Sequence, residues 1–135
     1  MTHGNHRVLQ PEGWPRPRGY ANGISVANGR TIVVSGQIGW DEHGALAPGG
    51  LVPQARKALE NIAAVLACDG AKVEHIVRLT WYLTDIADYR ASGLALGVAY
   101  RQVMGKHFPA MTAVAITALA EPGAVVEIEA TAVVP

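Results

Sequence analysis

The run Val125-Val126-Glu127-Ile128-Glu129-Ala130-Thr131-Ala132-Val133 constrains this chain more than any other stretch. Its β-branched and apolar content reads as a strand, and side chains alternate along a strand, so Glu127 and Glu129 share one face. Val126, Ile128, Ala130 and Ala132 take the other face, which suits a hydrophobic core. The acidic face must look into solvent, a cleft or a subunit boundary. A solvated sheet face carrying surface acids satisfies the pattern as well as a site does, because carboxylates are seldom buried without partners.

The chain has 135 residues, which suits one domain over 1–135 with a single core. Its eleven basic and eleven acidic residues give a formal charge of zero without blocks of either sign, so a nucleic-acid or anionic-membrane partner is not expected. No stretch approaches the length of a membrane span and the N-terminus lacks an apolar signal core, so a cytoplasmic protein is expected. One cysteine, Cys68, rules out an intrachain disulfide framework and a C-x-x-C site. Half the residues are hydrophobic but only 6% are aromatic, so Val, Ala, Ile and Leu must build the core.

Pro11, Pro15 and Pro17 surround Trp14 and forbid regular helix or central strand there, so residues 1–18 are expected to form a proline-rich surface arm. Asn28-Gly29 separates the strand-like runs 24–27 and 30–35 and predicts a β-hairpin. A glycine-rich loop follows from Gly36 to Gly50, without the G-x-G-x-x-G of a phosphate-binding turn. Pro53 in a first turn, the recurrence of Ala55, Leu59, Ile62 and Leu66, and the stop at Gly70 predict a helix from about Val52 to Asp69. Residues 75–83 read as a strand. Asp88 suits the cap of a second helix marked by Leu96, Ala99, Tyr100 and Val103 and closed by Gly105. Residues 111–119 and 125–134 are expected to form a final hairpin around Ala120-Glu121-Pro122-Gly123. The order predicts an α+β fold with two helices on one face of a mixed sheet. The other sheet face then lacks a cover, and oligomerisation would supply one.

His3, His6, His43, His75 and His107 fall at no paired spacing, so no metal site is expected. Ser35 beside Gly36 resembles a nucleophile elbow only loosely, since no G-x-S-x-G surrounds it; a turn hydroxyl is the simpler role. Trp40 reads as a loop aromatic packed on the sheet, and Tyr20 as either a core tyrosine or a phenol facing a cleft.

Gly19-Tyr20, Ser35-Gly36-Gln37-Ile38, Gln54-Ala55 through Leu59-Glu60-Asn61, Phe108-Pro109-Ala110 and Glu127-Ile128-Glu129-Ala130, in that order and spacing, resemble the YjgF/RidA reactive-intermediate deaminase family. The resemblance spans nearly the whole chain. It implies a chorismate-mutase-like fold with a six-stranded sheet, and a homotrimer with a central barrel and clefts between adjacent subunits. Active members hydrolyse enamines and imines such as 2-aminoacrylate to a carbonyl compound and ammonia, without a cofactor. The resemblance assigns the water-holding carboxylate to Glu127 and brings Tyr20, Ser35 and the strand carrying Met111 and Ala113 to the cleft. An arginine that clamps the substrate carboxylate normally follows Phe-Pro-Ala; here Met111 stands there. Loss of such a charge-assisted pair weakens binding by roughly 1.5–3 kcal/mol. Small imino acids should then be poor ligands, and Met111 becomes an apolar wall for a less polar ligand held against Trp40 or Trp14, unless Arg18 swings in as a substitute clamp. An asparagine often found on the second helix is also replaced, with Gly97 as the nearest match. A non-catalytic ligand-sensing or chaperone-like trimer is the alternative. An endoribonuclease or translation-inhibitor role is less favoured, given the neutral charge.

Overall fold

Val126–Val134 forms a nine-residue strand, as its alternation predicts, and the rest of the architecture is arranged around it. The computed structural model describes residues 2–3 and 5–135; Met1 and Gly4 of the expected arm and the His3 side chain lie outside the described residues. The elements in chain order are β1 (Thr2–His3), β2 (His6–Leu9), β3 (Gly23–Val26), β4 (Arg30–Gln37), α1 (Leu51–Ala67), a 3-10 turn (Val73–His75), β5 (Ile76–Leu83), α2 (Ile86–Ala91), α3 (Gly93–Met104), β6 (Ala110–Ala115) and β7 (Val126–Val134).

The α+β class is as expected, but the single six-stranded sheet is not what the chain forms. The described strands make a four-stranded sheet in the order β4-β7-β5-β6 and a separate three-stranded sheet in the order β1-β2-β3. Both anticipated hairpins are absent. β3 pairs with β2, through His6–Val26 to Leu9–Gly23, while β4 pairs with β7. The Asn28-Gly29 pair fails as a hairpin turn for a conformational reason. The tight turn it suggests needs positive φ at both central residues, yet among the described residues no non-glycine residue has positive φ, and Gly29 sits at φ 143° against the Val134 carbonyl. Asn28-Gly29 instead carries the chain from one sheet to the other. At the C-terminus β5 intervenes between β6 and β7, pairing parallel with β6 and antiparallel with β7. Parallel neighbours need a long crossover, and α2 with α3 supplies it.

Pro53 occupies the first turn of α1, where its missing N–H costs nothing. Leu51, Ala55, Leu59, Ile62 and Leu66 form its buried stripe. These residues pack on Val34, Ile128, Ala130 and Ala132 of the sheet and share one cluster with Leu96, Tyr100 and Met104 of α3. Three helices, rather than two, cover this face. The short α2 is capped by Asp85, whose carboxylate accepts from the Asp88 N–H at 3.1 Å. Asp88, expected to be the cap, lies one turn inside and accepts from the Ser92 hydroxyl at 3.2 Å. Among the described residues no helix is long and apolar enough to cross a membrane.

Candidate functional site

The four-stranded sheet presents two chemically distinct faces, and the sequence-predicted site residues divide between them. In the β5–β7 ladder Glu127 stands opposite Tyr82, Glu129 opposite Thr80, and Thr131 opposite Arg78. Directly paired residues share a face, so these six side chains lie on the side away from the helices. Val33 and Ser35 of β4 flank them, by alternation from the buried Val34.

Glu127 is half-buried and Glu129 exposed. The Tyr82 hydroxyl donates to Glu129 Oε1 at 2.8 Å, and this bond to the carboxylate is the main cause that holds the phenol above its ordinary titration range, with desolvation second. Glu127 lies over the β4 backbone instead. A Cβ added at Gly36 would fall on the Glu127 side chain, 2.8 Å from its Cδ and 2.9 Å from its Cγ. Gly36 and Ser35 occupy a bulge between the Val34–Ala130 and Gln37–Ile128 pairs, and bulges commonly re-aim side chains beside sites. Gln37 donates to the Ser35 carbonyl at 3.2 Å and to its hydroxyl at 3.4 Å, which orients that hydroxyl. Buried Gln54 of α1 fixes the entry to β7, donating to the Gly123 carbonyl at 3.1 Å and accepting from the Val125 N–H at 2.9 Å. The start of β7 is thereby pinned two residues before Glu127.

Met111 is on the other face. Its parallel partner is Leu79 and that of Ala113 is Trp81, both of which are buried. Met111 borders a cavity of about 390 Å³ between the sheet and α2 and α3, and Tyr20 and Arg18 also line it. Trp81, which nothing in the sequence pattern marked, forms another wall; its indole N–H is buried without an acceptor among the described residues. Within one chain Trp14 and Trp40 do not border this cavity. Trp14 borders a second cavity of about 700 Å³ beneath the N-terminal segment, a space that Tyr20 also faces. The Trp40 backbone pairs with Leu46, and its carbonyl accepts from Asn61 of α1 at 2.9 Å.

Glu127 and Ser35 are thus brought together on the open face, while Tyr20, Arg18, Met111 and Ala113 gather on the helix-covered face. Sequence reasoning misses Tyr82, and it notes Gly36 only as part of the Ser35-Gly36-Gln37-Ile38 motif. Alternation from Glu127 cannot find Tyr82, because their pairing joins strands more than forty residues apart. Among the described residues no three His, Cys, Asp or Glu side chains cluster in an arrangement that could hold a metal ion.

The fold is that of an α+β protein with helices on one sheet face and a pair of carboxylates on the other. A family model described as Endoribonuclease L-PSP matches residues 15–134, and the chain belongs to that family, known also as YjgF/RidA. Among curated relatives, the 2-iminobutanoate/2-iminopropanoate deaminase of Capra hircus is 42% identical over 105 residues, covering 77% of this chain and 73% of the relative. The crystal structure of a Rid-family protein of unknown function, YyfB of Yersinia pestis, superposes with a TM-score of 0.87 at 31% identity, covering 97% of this chain and all of that one. A member of the YjgF/YER057c/UK114 family from Mycobacterium tuberculosis superposes with a TM-score of 0.65 at 34% identity, covering 87% and 88% of the two chains.

Proposed function

We propose that the protein is a cofactor-independent hydrolase that converts enamine or imine metabolites to a carbonyl compound and ammonia. The observation that carries this reading is the Glu127 carboxylate, half-buried over the bare backbone of Gly36 on a sheet face that no helix covers. An enamine first tautomerises to the imine. Glu127 takes a proton from a water as that water's oxygen bonds to the imine carbon and passes it to the nitrogen, giving a neutral carbinolamine; it then takes the carbinolamine hydroxyl proton as the carbonyl forms and passes that to the nitrogen, which departs as ammonia. A single positioned carboxylate serves both proton transfers. The name of the goat relative, an imine deaminase, supports the same chemistry.

The division of residues between two faces supports a site completed by a second chain. Within one chain the sheet separates Glu127 and Ser35 from Tyr20, Arg18, Met111 and Ala113. A ligand that touches both sets needs the open face of one protomer against the cavity side of another. A homotrimer with three such clefts meets this need and covers Val33, which is 77% exposed. Light scattering is expected to give three times the chain mass at micromolar concentration, and a stable monomer overturns the shared cleft.

Met111 offers no charge, so 2-aminoacrylate-type imines are expected to be weak substrates. Coupled assay of ammonia release over a panel of imines generated in place tests the reaction itself. Turnover by wild type that Glu127→Gln loses supports hydrolysis. Saturable binding across the panel with no ammonia above the spontaneous rate would leave the protein as a ligand sensor of the same fold.

A further inference from the structure

The motif Gln54-Ala55 through Leu59-Glu60-Asn61 runs along α1, which packs on the sheet face opposite Glu127. Its apolar members belong to the core, but the core does not call for its two side-chain amides. Gln54 and Asn61 are seven residues apart, within about 20° of two full helical turns, so they leave α1 on one side roughly 10 Å from each other. Each takes up backbone groups of a segment that leads onto the open face. Gln54, 5% exposed, donates to the Gly123 carbonyl at 3.1 Å and accepts from the Val125 N–H at 2.9 Å, which holds the entry to β7 just ahead of Glu127. Asn61, half-buried, donates to the carbonyls of Ile38 at 3.1 Å and Trp40 at 2.9 Å, which holds the exit from β4 directly after Ser35-Gly36-Gln37. Between those two carbonyls lies Gly39, where an added Cβ would stand 2.5 Å from both the Cα and the carbonyl oxygen of Gln54. Helix and loop backbones are therefore in direct contact, and close-packed atoms set the distance from α1 to the exit of β4.

The ladder between β4 and β7 cannot do this work alone. Its register shifts between the Val34–Ala130 and Gln37–Ile128 pairs, beside Glu127, and a bulge leaves its extra residues unpaired. Ser35 and Gly36 need an outside reference to stay in place against Glu127. We infer that Gln54 and Asn61 are positioning residues for the reaction at Glu127. One helix holds β7 ahead of the carboxylate with one amide and β4 behind the bulge with the other, so it sets the two against each other from the far side of the sheet. Neither side chain touches the substrate; each acts through the backbone that carries Glu127 or Ser35. An amide suits both places, because Gln54 must give one hydrogen bond and take one while Asn61 must give two. An apolar residue of the same shape leaves those backbone groups unpaired. The effect on turnover rests on the deaminase reading; the effect on the backbone stands on the geometry alone.

Gln54→Met and Asn61→Leu keep the side-chain shape and remove the hydrogen bonds. On any imine that wild type accepts, each should lower kcat at least about tenfold with KM within about twofold, since a misplacement of about 1 Å can cost about a hundredfold in rate. The double variant separates positioning from stability. Sites two turns apart lose stability additively, so its melting temperature should fall by roughly the sum of the two single shifts. Its kcat, however, should stay within about threefold of the worse single variant, because either loss already frees the carboxylate from the bulge. Crystal structures of wild type and both single variants read the displacement without turnover: the distance from Glu127 Cδ to Gly36 Cα should change by more than about 0.5 Å, the tolerance of a working site. If Gln54→Met does not fold, Asn61→Leu, at the less buried end of the pair, carries the test. Folded variants with wild-type kcat, an unmoved Glu127–Gly36 distance, or kcat losses that multiply in the double variant overturn the inference. A wild type that releases no ammonia from any imine strikes the deaminase reading instead, and the Glu127–Gly36 distance still decides the positioning.

Discussion

The two faces of the four-stranded sheet are built from alternate residues of the same strands, yet they are under different physical demands. On the helix side of β7, Val126, Ile128, Ala130 and Ala132 are 0–3% exposed and fused into the main core. On the other side the neighbours in sequence are Glu127, Glu129 and Thr131, joined across the ladder by Tyr82, Thr80 and Arg78. An antiparallel sheet commonly packs one face and wets the other. A merely wetted face, however, gives no reason for a carboxylate to lie on a glycine backbone in a bulge. The packed face fixes where the strands run; the open face uses that rigidity to hold polar groups at set positions.

Adjacent substitutions on β7 can break this comparison. Glu127→Gln keeps the shape and removes the proposed base, so turnover on any accepted imine should fall by at least about a hundredfold, the lower end of what a general base contributes. The melting temperature should scarcely move. Ile128→Ala, one residue on, should do the reverse, lowering stability by about 2–5 kcal/mol because it opens a cavity in a fully buried site. Catalysis per folded molecule should be largely retained. Kinetics and thermal unfolding measured on the same preparations check the pair. A stability loss in Glu127→Gln as large as in Ile128→Ala would mean that the open face is structural.

The legibility of these faces from sequence follows the range over which each signal acts. The faces of β7 were readable because alternation is a property of neighbouring residues, and α1, β5 and α3 were readable because helical spacing and strand composition are equally local. The pairing of strands was not. Asn28-Gly29 looks like a hairpin turn, but β4 takes its partner from β7, with Arg30 opposite Val134 at the far end of the chain. Burial of both strands over α1 outweighs the local turn preference. His6–Leu9 falls within the arm that the prolines around Trp14 lead one to expect, and it becomes a strand through the partner β3 provides. The same limit hid the position of Met111. The resemblance brings it to a cleft between subunits without saying which face of its own sheet it takes, and the register with Leu79 puts it on the helix side. Arg18, Arg90 and Arg101, which border the same cavity as Met111, come from three separated segments, and only tertiary structure brings them together.

The smallest expected effect is also the most direct measure of how the open face is wired. Tyr82 is held above its ordinary value of 10.0 first by its hydrogen bond to Glu129, then by desolvation and by the Glu129 charge, with Glu127 adding a lesser push and Arg78 opposing it. Both carboxylates act in one direction because each disfavours the phenolate. The native state therefore keeps the Tyr82 proton to higher pH than the unfolded chain does. Its contribution to stability is complete below pH 10 and is lost as pH rises through the elevated native value. Carbon-13 labelling of the tyrosine ring lets that titration be followed by NMR residue by residue. Glu129→Gln should move the Tyr82 midpoint down toward 10, and Glu127→Gln should move it the same way by less. The ordering follows from geometry, since Glu129 accepts the phenol at 2.8 Å while Glu127 is turned toward Gly36. A larger shift in Glu127→Gln would mean that Tyr82 exchanges partners in solution. The phenol would then be a hydrogen-bond donor to the carboxylate proposed to hold the water, and Tyr82→Phe should alter the pH profile of turnover.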